Sequence, residues 1–349
     1  MSSLLLLVIV AACVAYQYFK GSLVNAAVNI ITILCSSFVA FGFFEQVSRL
    51  LAAYLGGDNS SLAPWLAAIS FILLFIFPFA IFQTAASKLI HKSIEFNDIL
   101  NRAGRCVCGA VYGFILTGLL LTVLAMMPLP KNLPYARINN LKPLRVNRSL
   151  LSPDDFVCGL FGLVSRGSMS SNNSFSLIHP SFISESYLNR IALSSKAATL
   201  TSEPALTVKG KDAVQAAPDN LKDKEGNPVT PSAGNSLVVV KAEISSKAGI
   251  FTLAQMRLIC NEKSQISNPT QGRGINIYPL GYLTSDGRLD PRRLDETIQV
   301  SSGTRTYQLV FDMPNNYFPV FLAFKQNNIV RLPKISSPSD ASGGMADSD

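Results

Sequence analysis

The sequence predicts a membrane all-α four-helix bundle followed by an all-β soluble domain, and two observations carry this prediction. Residues 1–128 hold six of the 30 Lys and Arg and four of the 22 Asp and Glu, and they contain four long apolar stretches. From residue 236 onward, short runs of alternating apolar and polar residues replace these long stretches. The uneven distribution of charge indicates a bilayer as the solvent of the N-terminal part and water as the solvent of the rest.

The candidate membrane spans are the apolar stretches near residues 3–19, 22–45, 64–84 and 104–127. A spanning helix needs about 20 residues, within a range of about 17–25, so the last three are long enough and the first is at the lower limit. The first stretch also resembles a cleaved signal, but residues 1–3 lack the positive charge that starts a signal peptide. We therefore expect an uncleaved first helix. Pro78 is expected to kink the third.

The second stretch contains a polar stripe. Its polar residues recur at spacings of three and four, which places them on one side of a helix: Ser22, Asn25, Asn29, Thr32 and Ser36. Amide and hydroxyl groups hydrogen-bond to neighbouring helices inside membranes, so this polar stripe is expected to be a helix-packing surface. The alternative is a pore lining, which requires several copies of the chain around one axis.

The fourth stretch contains a face of small residues. Gly109 and Gly113 are four residues apart, and Cys106 and Thr117 continue the same side of the helix. Small residues at this spacing let two helix backbones approach closely, which indicates a packed bundle. We expect this small face to be the packing partner of the polar stripe.

Basic residues predict the orientation of the spans. Lys20 follows the first span, and Lys88, Lys92, Arg102 and Arg105 lie between the third and the fourth. The positive-inside rule assigns both loops to the cytoplasm, with both chain ends outside. Five basic residues between 131 and 148 point the other way, but long segments cross the membrane largely regardless of their charge.

Several of these residues resemble a known family. Lys20 and Gly21 directly follow the first span, and the stretch NRAGRCVCGAVYG opens the fourth. This arrangement resembles the colicin V production (CvpA) family of bacterial inner-membrane proteins, whose usual pattern at that place is D-R-x-x-G-x-x-x-G-x-x-x-G. Asn101 stands at the position of the Asp, and Arg102 matches.

At the glycine positions of the family pattern, Arg105 replaces the first glycine, whereas Gly109 and Gly113 match. The resemblance covers about residues 1–128. It implies an integral inner-membrane protein with an extracytoplasmic C-terminus, linked to toxin production or export and to envelope homeostasis. It implies no established catalytic residue.

The remaining chain divides by composition into four segments. We expect a connector with short helices over 129–191, a flexible linker over 192–235, a β-sandwich domain over 236–334 and a disordered tail over 335–349. The linker is rich in Ala, Ser, Thr, Pro, Lys and Asp, so it has few large apolar groups to bury. In the third segment, about seven β-type runs separated by Gly, Pro and Asn predict an antiparallel, immunoglobulin-like sandwich.

The six cysteines do not form the spacing of a zinc site, because no C-x2-C pair is matched by a second pair. Cys158 and Cys260 lie in the aqueous part and are a candidate disulfide if that part is extracytoplasmic. Ser236 does not fit a serine-protease nucleophile, because Leu237 follows it where such a motif has glycine. We therefore expect no catalytic residue, no cofactor and no metal.

The net charge of +8 does not indicate nucleic-acid binding, because the basic residues are scattered and mixed with acidic ones. The sequence instead predicts a non-enzymatic inner-membrane protein with a periplasmic binding or bracing domain. Its expected partners are the lipid bilayer and either further copies of itself or other envelope proteins. The alternative is an oligomeric small channel or transporter lined by the polar stripe.

Overall fold

The structure is a computed structural model that describes residues 2–20, 22–55, 62–89, 97–141, 144–166, 174–201 and 204–333, with backbone alone at Lys20, Leu89, Leu100 and Lys211. The chain forms two compact units. The first consists of Met1–Asn139 and Val146–Phe161, and the second of Asn140–Arg145 and Gly162–Asp349. The tail predicted over 335–349 lies outside the described residues.

The first unit contains four long helices: α1 (Ser2–Lys20), α2 (Leu23–Tyr54), α3 (Leu66–Leu89) and α4 (Asp98–Met126). Each is long and apolar enough to cross a membrane, which confirms the predicted four spans. The helix α3 continues through Pro78, as membrane helices can when neighbouring groups satisfy the freed carbonyl.

Three pairs of helices pack closely in this unit. The helix α1 packs against α4, and α2 packs against both α3 and α4. The ring of Phe41 in α2 lies 4.9 Å from that of Phe71 in α3 in an edge-to-face arrangement, and Phe44 also contacts Phe71. Aromatic pairs of this geometry add about 0.5–1.5 kcal/mol beyond the area they bury, so they stabilise the contact between α2 and α3.

The connector after α4 contains a two-stranded sheet of β1 (Ile138–Leu141) and β2 (Leu144–Val146), followed by α5 (Pro153–Arg166). Val146–Phe161 belongs to the first unit, whereas Asn140–Arg145 and the chain from Gly162 onward belong to the second. The expected separate connector is therefore divided between the two units. The reason is that α5 is amphipathic and buries Val157 and Phe161 within the first unit.

The second unit is rich in β-structure. Its helices are α6 (Phe175–Ile178) and α7 (Phe182–Ser194). Its strands are β3 (Leu206–Thr207), β4 (Val214–Ala216), β5 (Asn235–Ser245), β6 (Ile250–Thr252), β7 (Met256–Glu262), β8 (Ile275–Ile277), β9 (Gly281–Leu283), β10 (Leu289–Pro291), β11 (Thr297–Gln299), β12 (Thr304–Pro314), β13 (Tyr317–Phe324) and β14 (Asn328–Arg331).

The strands form three antiparallel sheets. The largest has the order β10-β9-β12-β5-β3, with β4 also paired to β5, and a four-stranded sheet has the order β14-β13-β7-β8. The strands β6 and β11 form the third sheet. Phe251 of β6 lies 5.2 Å from the ring of Phe324 in the four-stranded sheet and 6.2 Å from that of Tyr307 in the largest sheet. Phe251 therefore contacts both of the larger sheets. The β-rich prediction is confirmed by the strands, whereas the immunoglobulin-like arrangement is not confirmed.

The segment predicted to be a flexible linker contributes strands to the largest sheet. In register, Leu206 of β3 pairs with Ile244, and Val214 of β4 pairs with Val240. Leu206 and Val214 are fully buried. A few apolar residues are enough for β3 and β4 to pair with β5 and bury one face, because only every second side chain of a strand needs to face the core.

Candidate functional site

The polar stripe of α2 makes three kinds of contact along its length. Ser22 caps the helix, since its Oγ accepts a hydrogen bond of 3.2 Å from the backbone N–H of Asn25. Farther along, the Nε2 of Gln83 in α3 donates to Asn29 Oδ1 at 3.1 Å. The Oγ of Ser36 donates to the carbonyl of residue 32 at 2.8 Å.

Burial increases along the same stripe. The side chain of Asn25 is exposed, whereas Thr32 and Ser36 are buried within the first unit. The buried hydroxyl of Ser36 is satisfied by its own helix, as is common for Ser and Thr in membrane helices. The stripe therefore contacts another helix through Asn29. Its later residues, Thr32 and Ser36, are enclosed by the same chain.

The small face of α4 packs against α1. A Cβ added to Gly109 would lie 2.9 Å from the Cα of Val14, and one added to Gly113 would lie 2.8 Å from the Cα of Val10. Backbone atoms cannot give way at these distances, so the two glycines permit the close approach. The expectation that this face meets the polar stripe of α2 is wrong, because spacing identifies a packing face but not which helix covers it.

The other two residues of the small face differ in setting. Cys106 is half-buried, and Thr117 is fully buried with its Oγ1 donating to the carbonyl of Gly113 at 2.7 Å. Next to this face lies a third close contact that the sequence reasoning missed. A Cβ on Gly118 would lie 2.6 Å from Val157 Cγ2 and would overlap the carbonyl of Pro153 at the start of α5. The spacing signal did not include Gly118, since it is off the four-residue repeat.

The motif at the start of α4 joins the ends of α1 and α2. Asn101 Oδ1 accepts hydrogen bonds from the backbone N–H of Leu23 at 3.3 Å and from Arg105 Nε at 3.2 Å. Arg105 Nη1 donates to the carbonyl of Tyr18 at 3.2 Å. These are an N–H of the first turn of α2 and a carbonyl of the last turn of α1, which helices leave unpaired. The two side chains thus satisfy one group in the last turn of α1 and one in the first turn of α2.

The remaining residues of the family motif are Lys20, Gly21 and Arg102. Arg102 is exposed, and only the backbone of Lys20 is described. Gly21 lies outside the described residues.

A buried charge network holds the connector before α5. Arg137 is 4% exposed and donates two hydrogen bonds to Asp155, at 2.7 and 3.0 Å. Asp154 is fully buried and accepts hydrogen bonds from Tyr135 Oη and, at 3.1 Å, from Ser149 Oγ. Bidentate pairing of Arg with a carboxylate is geometrically specific, so this network sets the direction in which α5 begins.

The helix α5 lies against the spans. The ring of Phe156 is 5.3 Å from that of Phe114 in α4, and the ring of Phe161 stacks at 5.0 Å on that of Phe41 in α2. Together with the close contact at Gly118, these rings place one side of α5 on two of the four spans.

The second unit contains a buried network around Glu185 of α7. Glu185 Oε2 lies 2.7 Å from His179 Nδ1, and Glu185 Oε1 lies 3.0 Å from Arg257 Nη1 and accepts from Asn276 Nδ2. Arg257 Nη1 also donates to the carbonyl of Ile178 at 2.6 Å. The network connects the turn between α6 and α7 to β7 and β8.

Opposing effects act on the ionisation of Glu185. Burial raises the pKa of this carboxyl, but the adjacent Arg257 and His179, with the hydrogen bonds from His179 and Asn276, outweigh burial and hold the pKa below its usual value. The carboxylate is therefore a stable anion with its oxygens occupied by donors.

Each of the six cysteines is a free thiol in the structure, so the candidate disulfide between Cys158 and Cys260 is not formed in it. Cys158 Sγ lies 3.9 Å from Thr122 Oγ1, and Cys260 is buried within β7. Burial raises the pKa of both thiols. Both cysteines therefore fill apolar space as protonated groups. Among the described residues, no group of three or more His, Cys, Asp and Glu could hold a metal ion.

The four spans and the β-rich second unit define a multi-pass membrane protein with an additional folded unit after the spans. The sequence model of the colicin V production protein family matches residues 2–151, which include all four spans and the connector up to the turn before α5. The match confirms the family resemblance of this N-terminal region. No curated protein and no solved structure matches the chain.

Proposed function

We propose that this chain is a non-enzymatic protein of the bacterial inner membrane, linked to the production or export of colicin V-like toxins or to envelope homeostasis. Its β-rich second unit lies in the periplasm and binds or braces other envelope proteins or further copies of the chain. The family match over residues 2–151 supports the link to toxin production.

The distribution of basic residues along the spans carries the proposed orientation. Lys88 lies in the last turn of α3, and Arg102 and Arg105 lie in the first two turns of α4, so these charges lie at one end of the spans. The positive-inside rule assigns that end to the cytoplasm. Because α4 then runs outward, the chain that follows it emerges on the periplasmic side.

The buried charges around Glu185 in the second unit support a structural role over a catalytic one. The charges around Glu185 are buried and paired with one another, so they hold the turn before α7 to the sheet. An anion with a lowered pKa and occupied oxygens is a poor general base.

The burial of Thr32 and Ser36 supports packing over conduction for the polar stripe. A pore lining needs side chains that face water between copies of the chain, and these two are enclosed by their own copy. The alternative function, an oligomeric channel or transporter, would have to use the exposed end of the stripe near Asn25.

Cysteine labelling in spheroplasts tests the orientation. In a cysteine-free full-length background, Asp219→Cys provides an exposed position in the second unit, and Ser93→Cys provides a position between α3 and α4. A membrane-impermeant maleimide is expected to label Asp219→Cys in intact spheroplasts and Ser93→Cys only after lysis. Labelling in the opposite pattern would overturn the periplasmic assignment.

Two functional measurements separate the proposed roles. Deleting the gene from a colicin V-producing host is expected to lower toxin secretion, with recovery on re-expression of the full chain, and unchanged secretion contradicts the toxin link. Liposomes containing the purified protein are expected to show no ion conductance above that of empty liposomes. Conductance that Asn25→Leu abolishes would establish the channel alternative instead.

A further inference from the structure

We propose that α5 and the turn before it form a fifth membrane-contacting element, which inserts sideways into the bilayer leaflet at the C-terminal end of α4. Its ligand is the acyl-chain region of the lipid. This element is not one of the four spans, and the proposal does not depend on which side of the membrane the second unit occupies.

The depth of the contact between α5 and α4 is the first argument. Arg105 is a basic residue near the start of α4 and marks the interface at that end of the span. Thirteen residues separate it from Gly118, about 20 Å at a rise of about 1.5 Å per residue. The hydrocarbon core is about 30 Å thick, so Gly118 lies about 10 Å inside it. Since Pro153 and Val157 contact Gly118, the start of α5 lies at that depth as well.

The outward surface of this element is apolar. Leu150 is 50% exposed, Leu151 is 73% exposed and Phe156 is 49% exposed. Phe156 contacts Phe114, and Val111, one turn earlier on the same side of α4, is itself 43% exposed. The apolar surface of α5 therefore continues the lipid-facing surface of a span, which identifies lipid as its occupant.

The buried charges at this depth, Arg137 and Asp154, are paired within the protein, whereas the side chain of Arg148 is 76% exposed. Arg137 pairs with Asp155 and lies 3.9 Å from Asp154, and Arg148 lies 3.9 Å from Asp155. Two positive and two negative side chains thus form one cluster. Charged groups inside a membrane are tolerated when they pair and face the protein interior, as Arg137 and Asp154 do here.

The turn that exposes the leucines has an uncommon backbone. Leu151 and Ser152 have φ angles of 56° and 42°, in the left-handed region that non-glycine residues rarely adopt. Ser152 Oγ donates to the carbonyl of Ser149, and Ser149 Oγ donates to the buried Asp154. The turn is thereby tied to the charge network while Leu151 points away from it. Burial of Leu150 and Leu151 in lipid would compensate for the unfavourable backbone.

Tryptophan quenching in vesicles tests this proposal. The sequence has one tryptophan, so Trp65→Phe gives a full-length background without one. Into it we would introduce Leu151→Trp, Phe156→Trp or, as the control, Ile266→Trp, which is 61% exposed in the second unit. The vesicles contain phosphatidylcholine and phosphatidylglycerol, with and without bromine on the acyl chains of the phosphatidylcholine.

Bromolipid is expected to quench Leu151→Trp and Phe156→Trp at least twofold more strongly than Ile266→Trp. Equal quenching at all three positions would overturn the proposal. Blue-shifted but unquenched emission at Leu151→Trp and Phe156→Trp would also overturn it, since a protein partner would then cover the surface. If either variant loses its helical circular dichroism, Leu150→Trp replaces it and is subject to the same two outcomes.

Discussion

Asn101 of α4 accepts a hydrogen bond from the backbone N–H of Leu23, the first residue of α2, at 3.3 Å. The same oxygen accepts from Arg105, which in turn donates to the carbonyl of Tyr18 in α1. One side-chain pair therefore connects three of the four spans at one end of the bundle. At the two positions where the chain differs from the family pattern, 101 and 105, an amide and a guanidinium thus act together.

Two substitutions of Asn101 are expected to distinguish the contribution of its hydrogen bonds to stability from that of an added charge. Asn101→Ala removes the acceptor for Leu23 and Arg105 and is expected to destabilise the bundle by about 1 kcal/mol. Asn101→Asp retains the acceptor and adds a negative charge beside the α2 N-terminus and Arg105, so it is expected to be at least as stable as the wild type. Thermal unfolding of the detergent-solubilised full chain measures both. Equal loss in the two variants would contradict this account.

Gly113→Ala is expected to destabilise the protein by disturbing the close packing of α1 against α4. The added Cβ would meet the Cα of Val10 at 2.8 Å, and overpacking of this kind costs about 1–3 kcal/mol. The matched control is Gly42→Ala in α2, because no atom lies within 4 Å of a Cβ at that position. The control is expected to be neutral or to stabilise by up to about 1 kcal/mol, as Ala favours helix more than Gly. Unfolding followed by helical circular dichroism compares the two, and similar effects would refute the close packing.

The hydrogen bond between Asn29 and Gln83 predicts a coupling between α2 and α3. In a double-mutant cycle of Asn29→Leu and Gln83→Leu, the coupling energy is expected to be about 0.6 kcal/mol and at most about 1.7 kcal/mol, as for other interhelical hydrogen bonds in membranes. The free energies of unfolding of the wild type, the two single variants and the double variant are measured in mixed micelles. Asn25→Leu combined with Gln83→Leu serves as the control and is expected to be additive. Additivity in the Asn29 cycle would argue against the interhelical contact.

Acid is expected to destabilise the second unit through Glu185. Its pKa is lowered in the folded state from an ordinary value of 4.5. Its charge therefore stabilises the fold above about pH 4.5, and this contribution is lost as the pH falls through the lowered folded-state pKa. Glu185→Gln leaves Arg257 without its carboxylate and is expected to cost about 3 kcal/mol or more at pH 7. The same substitution should weaken the acid dependence.

Denaturation of the full-length protein at pH 7 and pH 3.5, followed by the β-sheet signal in circular dichroism, measures this effect. Glu243→Gln is the matched control, because Glu243 pairs with Lys209 at the surface of the same unit. The control is expected to change little, since exposed ion pairs contribute little to stability. A Glu185→Gln variant with the wild-type stability at both pH values would contradict the structural role of the network.

The sequence predicted the elements well where one local property was sufficient. The four spans follow from apolar length alone, and the strands β5, β12 and β13 follow from their runs of apolar and alternating residues. The segment 192–235 was predicted less well. The strand β4 in this segment has only three residues. It forms by pairing with β5, which lies later in the chain.

The candidate site was predicted only in part, because its contacts also join residues that are distant in the chain. The polar stripe and the small face were located on α2 and α4 by spacing, but their partners, Gln83 for Asn29 and α1 for the two glycines, lie on other helices. The network around Glu185 was missed altogether. Its hydrogen-bonded partners Glu185 and Asn276 are 91 positions apart in the chain, and no local pattern relates them.

The amino-acid sequence by itself determined that this protein has four spans with a β-rich segment after them, because apolar length and alternation are properties of neighbouring residues. The tertiary structure decided which helix faces cover one another, that Asn101 and Arg105 join the turn between α1 and α2, and that α5 folds back onto Gly118. These outcomes depend on distances between residues remote in the chain, and such distances are set only when the helices pack.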